Sequence, residues 1–263
     1  MDKTQNRYCA HYLVQLTGGH KPLDALKAGL VAQLEQSPAE KVLEAFAPRQ
    51  VVIRTLDLGS DKQAPYFNIP DEENPAMGYR AIRICLKQRE IFYTQLRALF
   101  RASVSGNLAI MFPMITGLGQ VLEIKKIVAD VKEQLKSEGK PFSDSVEIGI
   151  MVETPAAAVM SDVLAKEVDF FSIGTNDLTQ YTMAADRMNA RVNDIFDSED
   201  PAVLRLIEMT AKSARDAGIW VGICGEAGAN TKLTQFFMDA GIDELSVAAS
   251  SILKVRKAVC ESD

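Results

Sequence analysis

Glu153 and Asp177 are the first residues of this chain to suggest chemistry. Each stands just beyond an apolar, β-branched run, VEIGIMV at 146–152 and VDFFSI at 168–173, so their carboxylates would meet where neighbouring strands end. Two carboxylates completed by water and substrate oxygens are the usual way to hold Mg2+. The same acids could simply be solvated in loops, and Asp177 could cap a helix starting at Leu178. Arg54, Arg80 and Arg187 offer planar guanidinium forks that bind phosphate or carboxylate bidentately. Arg54 closes the run VVIR at 51–54 and needs an anion to face, from a substrate or from Asp57 or Asp61. Arg80 shares its stretch with Arg83, Lys87 and Arg97, which would equally describe the wet face of a helix. Cys224 sits in Val221-Gly-Ile-Cys-Gly-Glu226, where the glycines would let a small substrate approach the thiol; a buried strand cysteine is the competing reading.

The rest of the composition narrows the chemistry. The two histidines, His11 and His20, both fall in the first 20 residues, and four cysteines (Cys9, Cys85, Cys224, Cys260) have no paired short spacing. A zinc site, a disulfide scaffold and a Ser-His-Asp triad therefore lack material. With 29 Lys+Arg against 35 Asp+Glu the net charge is −6 and no basic block occurs, so nucleic acid and anionic membranes are poor partners. No apolar run is long enough to cross a bilayer and Met1–Gln5 opens no signal-peptide core, so a soluble cytoplasmic protein is expected.

The elements that must position these residues alternate in type. Strand-like runs at 51–54, 108–112, 146–152, 168–173, 219–224 and 244–247 are separated by helical patterns at 75–102, 119–139, 156–166 and 201–218. Helices are also expected at 23–36 and 38–47, and a strand at Tyr8–Leu16 followed by a Gly18-Gly19 turn. Alternating β and α with strands apolar on both faces implies a parallel sheet covered by helices. No Gly-x-Gly-x-x-Gly follows the first strand, and 263 residues suit a (β/α)8 TIM barrel, although only six βα units are clear. Reactive groups then belong at the C-terminal strand ends, where Arg54, Pro113-Met114, Glu153-Thr154-Pro155, Gly174-Thr-Asn-Asp177 and Cys224-Gly-Glu226 all stand.

Six segments, Arg54–Lys62, Glu72–Arg83, Ile110–Met114, Gly149–Ala156, Asp169–Tyr181 and Gly222–Glu226, resemble enzyme I of the bacterial sugar phosphotransferase system, the phosphoenolpyruvate–protein phosphotransferases. The resemblance runs over about residues 38–258 and is to the phosphoenolpyruvate-binding barrel. It implies that Arg54, Arg80 and Arg187 grip the phosphate, that Asn176 hydrogen-bonds the substrate and that Glu153 and Asp177 ligate Mg2+. It also implies that Cys224 protonates the enolate to give pyruvate, and that the partner is a histidine-containing phosphocarrier protein reached through a separate phosphohistidine domain. Homodimerisation is a further implication.

Residues 1–34 do not match the family's early strand bearing another phosphate-binding arginine, and Ser60 stands where the family usually has glycine. The expected organisation is a divergent segment 1–34 followed by a barrel domain 35–263, with the phosphohistidine domain absent and the family's C-terminal helical continuation cut short. His20, after Gly18-Gly19, only superficially echoes the acceptor loop. The alternatives are a catalytically idle homologue serving as a binding or dimerisation module, and a Mg2+-dependent lyase or aldolase working through a pyruvate enolate.

Overall fold

The structure, a computed structural model, describes residues 38–60, 69 and 71–262. The strand expected at Tyr8–Leu16, the helix at 23–36, His11, His20, Asp61 and Lys62 lie outside the described residues. Two compact units make up the described chain, one from residues 38–114 and 122–147, the other from 115–121 and 148–262.

The first unit holds α1 (Pro38–Phe46), β1 (Gln50–Arg54), α2 (Ile82–Lys87), α3 (Arg89–Ala102), β2 (Asn107–Phe112) and most of α4 (Leu118–Ser137). Strands β1 and β2 pair in parallel from Gln50↔Asn107 to Arg54↔Met111. Val51–Ile53 and Leu108–Phe112 are all buried, the pattern of strands covered on both sides. Phe92 of α3 meets Phe112 edge to face, with ring centroids 5.8 Å apart. The outer seam between α3 and α4 is polar: Arg97 donates to Gln134 and to Glu138, which follows α4, and Tyr93 to Asp130.

The single helix expected over 75–102 is broken. A 3-10 turn at Pro75–Met77 leads to α2, and a second break at Gln88 separates α2 from α3. The apolar period was read correctly, but side chains here compete for the backbone. Both oxygens of the Glu72 carboxylate accept the Tyr79 N–H, at 2.8 and 3.1 Å, and the Arg83 guanidinium donates to the carbonyls of Met77 and Gly78. Ala81, at φ 50°, then hands its N–H to the Leu58 carbonyl. Arg80 is thereby taken off any helix face.

The second unit runs β3 (Glu147–Val152), α5 (Pro155–Val159), α6 (Ser161–Leu164), β4 (Phe170–Gly174), α7 (Thr175–Met183), α8 (Pro201–Ala217), β5 (Trp220–Cys224), α9 (Thr234–Ala240), β6 (Glu244–Leu245) and α10 (Ile252–Glu261). Strand β4 pairs in parallel with β3 and β5, and β5 with β6. The helix expected over 156–166 divides at Met160, after which the Ser161 hydroxyl donates to Ser213 of α8 at 2.8 Å. Helix α8 obeys its sequence signals, with Asp200 capping Ala202 N–H, Pro201 first inside and Gly218 at φ 75° just beyond its end.

The two faces of β3–β6 differ, which corrects the expectation of strands apolar on both. One face carries Ile150, Val152, Phe171, Ile173, Val221 and Ile223, all buried. The other is layered by the register. Gly149, Phe170 and Trp220 form the first layer, in which the two rings stack 4.3 Å apart and a Cβ on Gly149 would lie 2.4 Å from the Phe170 ring. Met151, Ser172, Gly222 and Glu244 form the second, and Glu153, Gly174 and Cys224 stand at the strand ends. Polar groups thus appear on one face only, toward the C-terminal ends.

Six parallel strands occur among the described residues, where a barrel would need eight. Among these residues no helix is long and apolar enough to cross a membrane.

Candidate functional site

In the first unit the strand end gathers a cluster of charged side chains. Asp57 lies between two guanidinium groups, with Oδ2 3.4 Å from Nη1 of Arg54 and Oδ1 3.4 Å from Nη2 of Arg80. Arg80 is only 3% exposed, so it is not the solvated helix residue its neighbours suggested. Burying a guanidinium without a counterion is prohibitive, and Asp57 is a counterion of Arg80.

In the second unit Glu153, 2% exposed, follows β3, and Asp177, 9% exposed, lies in the first turn of α7. That helix starts at Thr175 with Gly174 as its N-cap residue and no side-chain cap, which overturns the reading of Asp177 as a cap for Leu178. Thr154 takes the capping role one strand away: it accepts the Ala157 N–H at 3.1 Å and donates to the Ile115 carbonyl at 2.8 Å. Arg187 stands 4.0 Å from Asp177, brought back toward α7 by the left-handed Ala184 and by a hydrogen bond from its own N–H to Gln180.

Cys224 ends β5 at 6% exposure, beside Gly174 in the register. Its thiol donates to the Ile173 carbonyl at 3.4 Å and accepts the Ser172 hydroxyl at 3.2 Å. Two further bonds stitch this strand end to α7. Thr175 Oγ1 donates to the Cys224 carbonyl at 3.0 Å, and the Glu226 N–H donates to Asn176 Oδ1 at 3.0 Å. Gly225, at φ 102°, allows this approach, because a Cβ there would lie 2.5 Å from Thr175 Oγ1. The side-chain oxygen of Asn176 is thus engaged by the Glu226 N–H.

Residues 24–263 match the family described as PEP-utilising enzyme, PEP-binding domain. The chain belongs to this family. It is 51% identical over 226 residues to the phosphoenolpyruvate-protein phosphotransferase of Staphylococcus aureus, covering 86% of this chain and 40% of that protein. It is 53% identical over 223 residues to the protein of that name from Bacillus subtilis (strain 168), covering 84% of this chain and 39% of the other. The chain therefore spans about two fifths of the length of these relatives. Among solved structures, a Haloferax volcanii malate synthase in complex with magnesium and glyoxylate has the same fold, at TM-score 0.56 and 13% identity over 89% of this chain and 61% of that one. A citrate lyase from Burkholderia xenovorans reaches TM-score 0.54 at 16% identity, over 100% of this chain and 81% of that one.

In this PEP-binding domain the sequence pointed to the ends of strands and missed the residues that hold them in place. Gly174 is one: an added Cβ would fall 2.7 Å from both Cβ and Oε2 of Glu153. Its φ of −82° is open to any residue, so Gly174→Ala should act by displacing Glu153 rather than by straining the backbone. A loss of about 1–3 kcal/mol in denaturant unfolding is expected from the overpacking. Ser172 and Glu244 are the others. A lone serine within Phe-Phe-Ser-Ile-Gly, and an acid opening so short a run as Glu244–Val247, were the available signals.

Proposed function

We propose that this chain is the part of a phosphoenolpyruvate–protein phosphotransferase that binds phosphoenolpyruvate with Mg2+ and protonates the enolate to pyruvate. The phosphoenolpyruvate-binding part is residues 35–263, a domain of the (β/α)8-barrel type whose N-terminal strands are incomplete or replaced in this range. The observation that carries the reading is that a chain belonging to this family has Arg54 at the end of β1 in one unit, and Glu153 and Cys224 at the ends of β3 and β5 with Asp177 just after β4 in the other.

Arg54 and Arg80, held together by Asp57, take the phosphate, and Arg187, beside Asp177, is a further substrate-binding residue. Moving a phosphoryl group spreads negative charge over its oxygens, so fixed positive charge and positioning do most of the work. Glu153 and Asp177 suit Mg2+: both offer hard carboxylate oxygens, and the missing Cβ at Gly174 leaves Glu153 the room it needs. Bound there, Mg2+ would neutralise substrate oxygens as a Lewis acid. Asn176 donates its amide to the substrate. Cys224 gives its proton to the methylene carbon of the enolate, which releases pyruvate. In the whole protein the phosphate passes to a histidine and on to a histidine-containing phosphocarrier protein, in the cytoplasm, with two copies of the chain paired.

Thermal unfolding tests the reading. Mg2+ should raise Tm only when phosphoenolpyruvate is present, because two carboxylates leave most of an octahedron to water and substrate. At a hundredfold excess over Kd the gain is about 2.7 kcal/mol, or roughly 5–10 °C for a chain of this size. Glu153→Gln with Asp177→Asn should abolish the joint shift; its survival would place the metal elsewhere.

A further inference from the structure

Ser172 occupies the middle of β4, 4% exposed, between Phe171 and Ile173, which point to the opposite, apolar face. A hydroxyl in such a place needs a partner. The partner is the Cys224 sulfur, 3.2 Å away. The register explains why they meet: Ser172 lies opposite Gly222, and Cys224 lies opposite Gly174. With no side chain at either glycine, the diagonal between serine and cysteine is open.

On the reading that Cys224 protonates the enolate, we propose that Ser172 is the positioning residue for that thiol. Its O–H fixes the sulfur at the strand end and remains aimed at it after the proton has left. In the step itself the S–H bond breaks and a C–H bond forms at the methylene carbon. The electron pair of the S–H bond stays on sulfur, and Ser172 keeps its own proton. A donor pointed at sulfur favours the thiolate over the thiol. That help matters here because the bordering elements carry mostly acids: Glu153 after β3, Glu244 on β6, Asp177 on α7 and Glu226 after β5, with Arg187 as the cation beside Asp177. Asp177 and Glu153 would share their charge with Mg2+, whereas the thiolate has the serine.

The test titrates the thiolate of Cys224 by ultraviolet absorbance, as a difference between the full chain and the same chain carrying Cys224→Ser. Cys85, pushed up to about 12 by burial, stays outside the range and cancels in the difference. Ser172→Ala should move the midpoint to higher pH by about one unit, a tenfold smaller thiolate fraction at a given pH. Ser172→Thr, which keeps the hydroxyl, should restore most of it. Exchange of pyruvate methyl protons in deuterated water with Mg2+ should fall about tenfold in Ser172→Ala, while affinity for phosphoenolpyruvate stays within twofold. Superimposable titrations of the parent and Ser172→Ala would overturn the proposal, as would a Ser172→Thr chain, folded by circular dichroism, that behaves like Ser172→Ala. A shifted titration with no exchange in the parent would instead overturn the enolate reading and leave the serine–thiol pair standing.

Discussion

Cys224→Ser should slow exchange of the methyl protons of pyruvate by about 10²- to 10⁴-fold, the range a general acid or base contributes, while affinity for phosphoenolpyruvate stays within a few-fold. The substitution removes one atom type at a buried strand end and little else. Serine is close in size and can accept the Ser172 hydroxyl as sulfur does, so the fold and the stitching of Thr175 to the residue 224 carbonyl persist. What disappears is the acidic S–H, since an alcohol is a far weaker acid than a thiol. Proton NMR in deuterated water reads the loss, and isothermal titration with phosphoenolpyruvate and Mg2+ reads the affinity. Exchange in Cys224→Ser at the parent rate would remove Cys224 from the reaction.

Arg80→Met carries the second large effect, and it should appear in two measurements at once. Arg80 and Asp57 are both buried, with side chains 4% and 8% exposed. Deleting one member of a buried pair typically costs about 3–5 kcal/mol, because the other charge is left uncompensated. Arg54 still faces Asp57 at 3.4 Å, which sets the expected loss at the lower end, about 3 kcal/mol in urea unfolding. Affinity for phosphoenolpyruvate should fall about 10- to 150-fold, the worth of one charge-assisted bidentate contact at about 1.5–3 kcal/mol. Adding Asp57→Asn should recover none of the affinity, since it does not replace the guanidinium. Wild-type affinity in folded Arg80→Met would take the phosphate away from this cluster.

The two effects differ in how far the sequence foretold them. Cys224 was visible as a thiol between glycines at the end of an apolar run, and the structure keeps it there. For Arg80 the expected single helix over 75–102 does not hold. The apolar neighbours of Arg80, Ile82, Ile84 and Cys85, repeat at helical spacing, so a helix through it was the natural reading, with Arg80 on the wet side. Periodicity reports which side chains want to be buried, and it is silent about Glu72 and Arg83 taking the backbone groups of residues 77–79 for themselves.

By itself the sequence determined the alternation of strand and helix, the six strands and the chemical identity of the groups at their ends. These follow from local quantities: β-branching, apolar period, and the prolines and glycines at helix boundaries. Tertiary structure alone decided which face of β3–β6 is apolar, because a run such as Phe-Phe-Ser-Ile-Gly looks hydrophobic on both sides until a register is chosen. Pairing β4 against β3 and β5 puts Gly174 under Glu153 and sets Ser172 diagonally from Cys224, contacts between residues 21 and 52 positions apart in the chain. A side chain's function here depends on what its neighbouring strand lacks, a glycine opposite an acid or a thiol, and that absence becomes visible only when the strands are laid side by side.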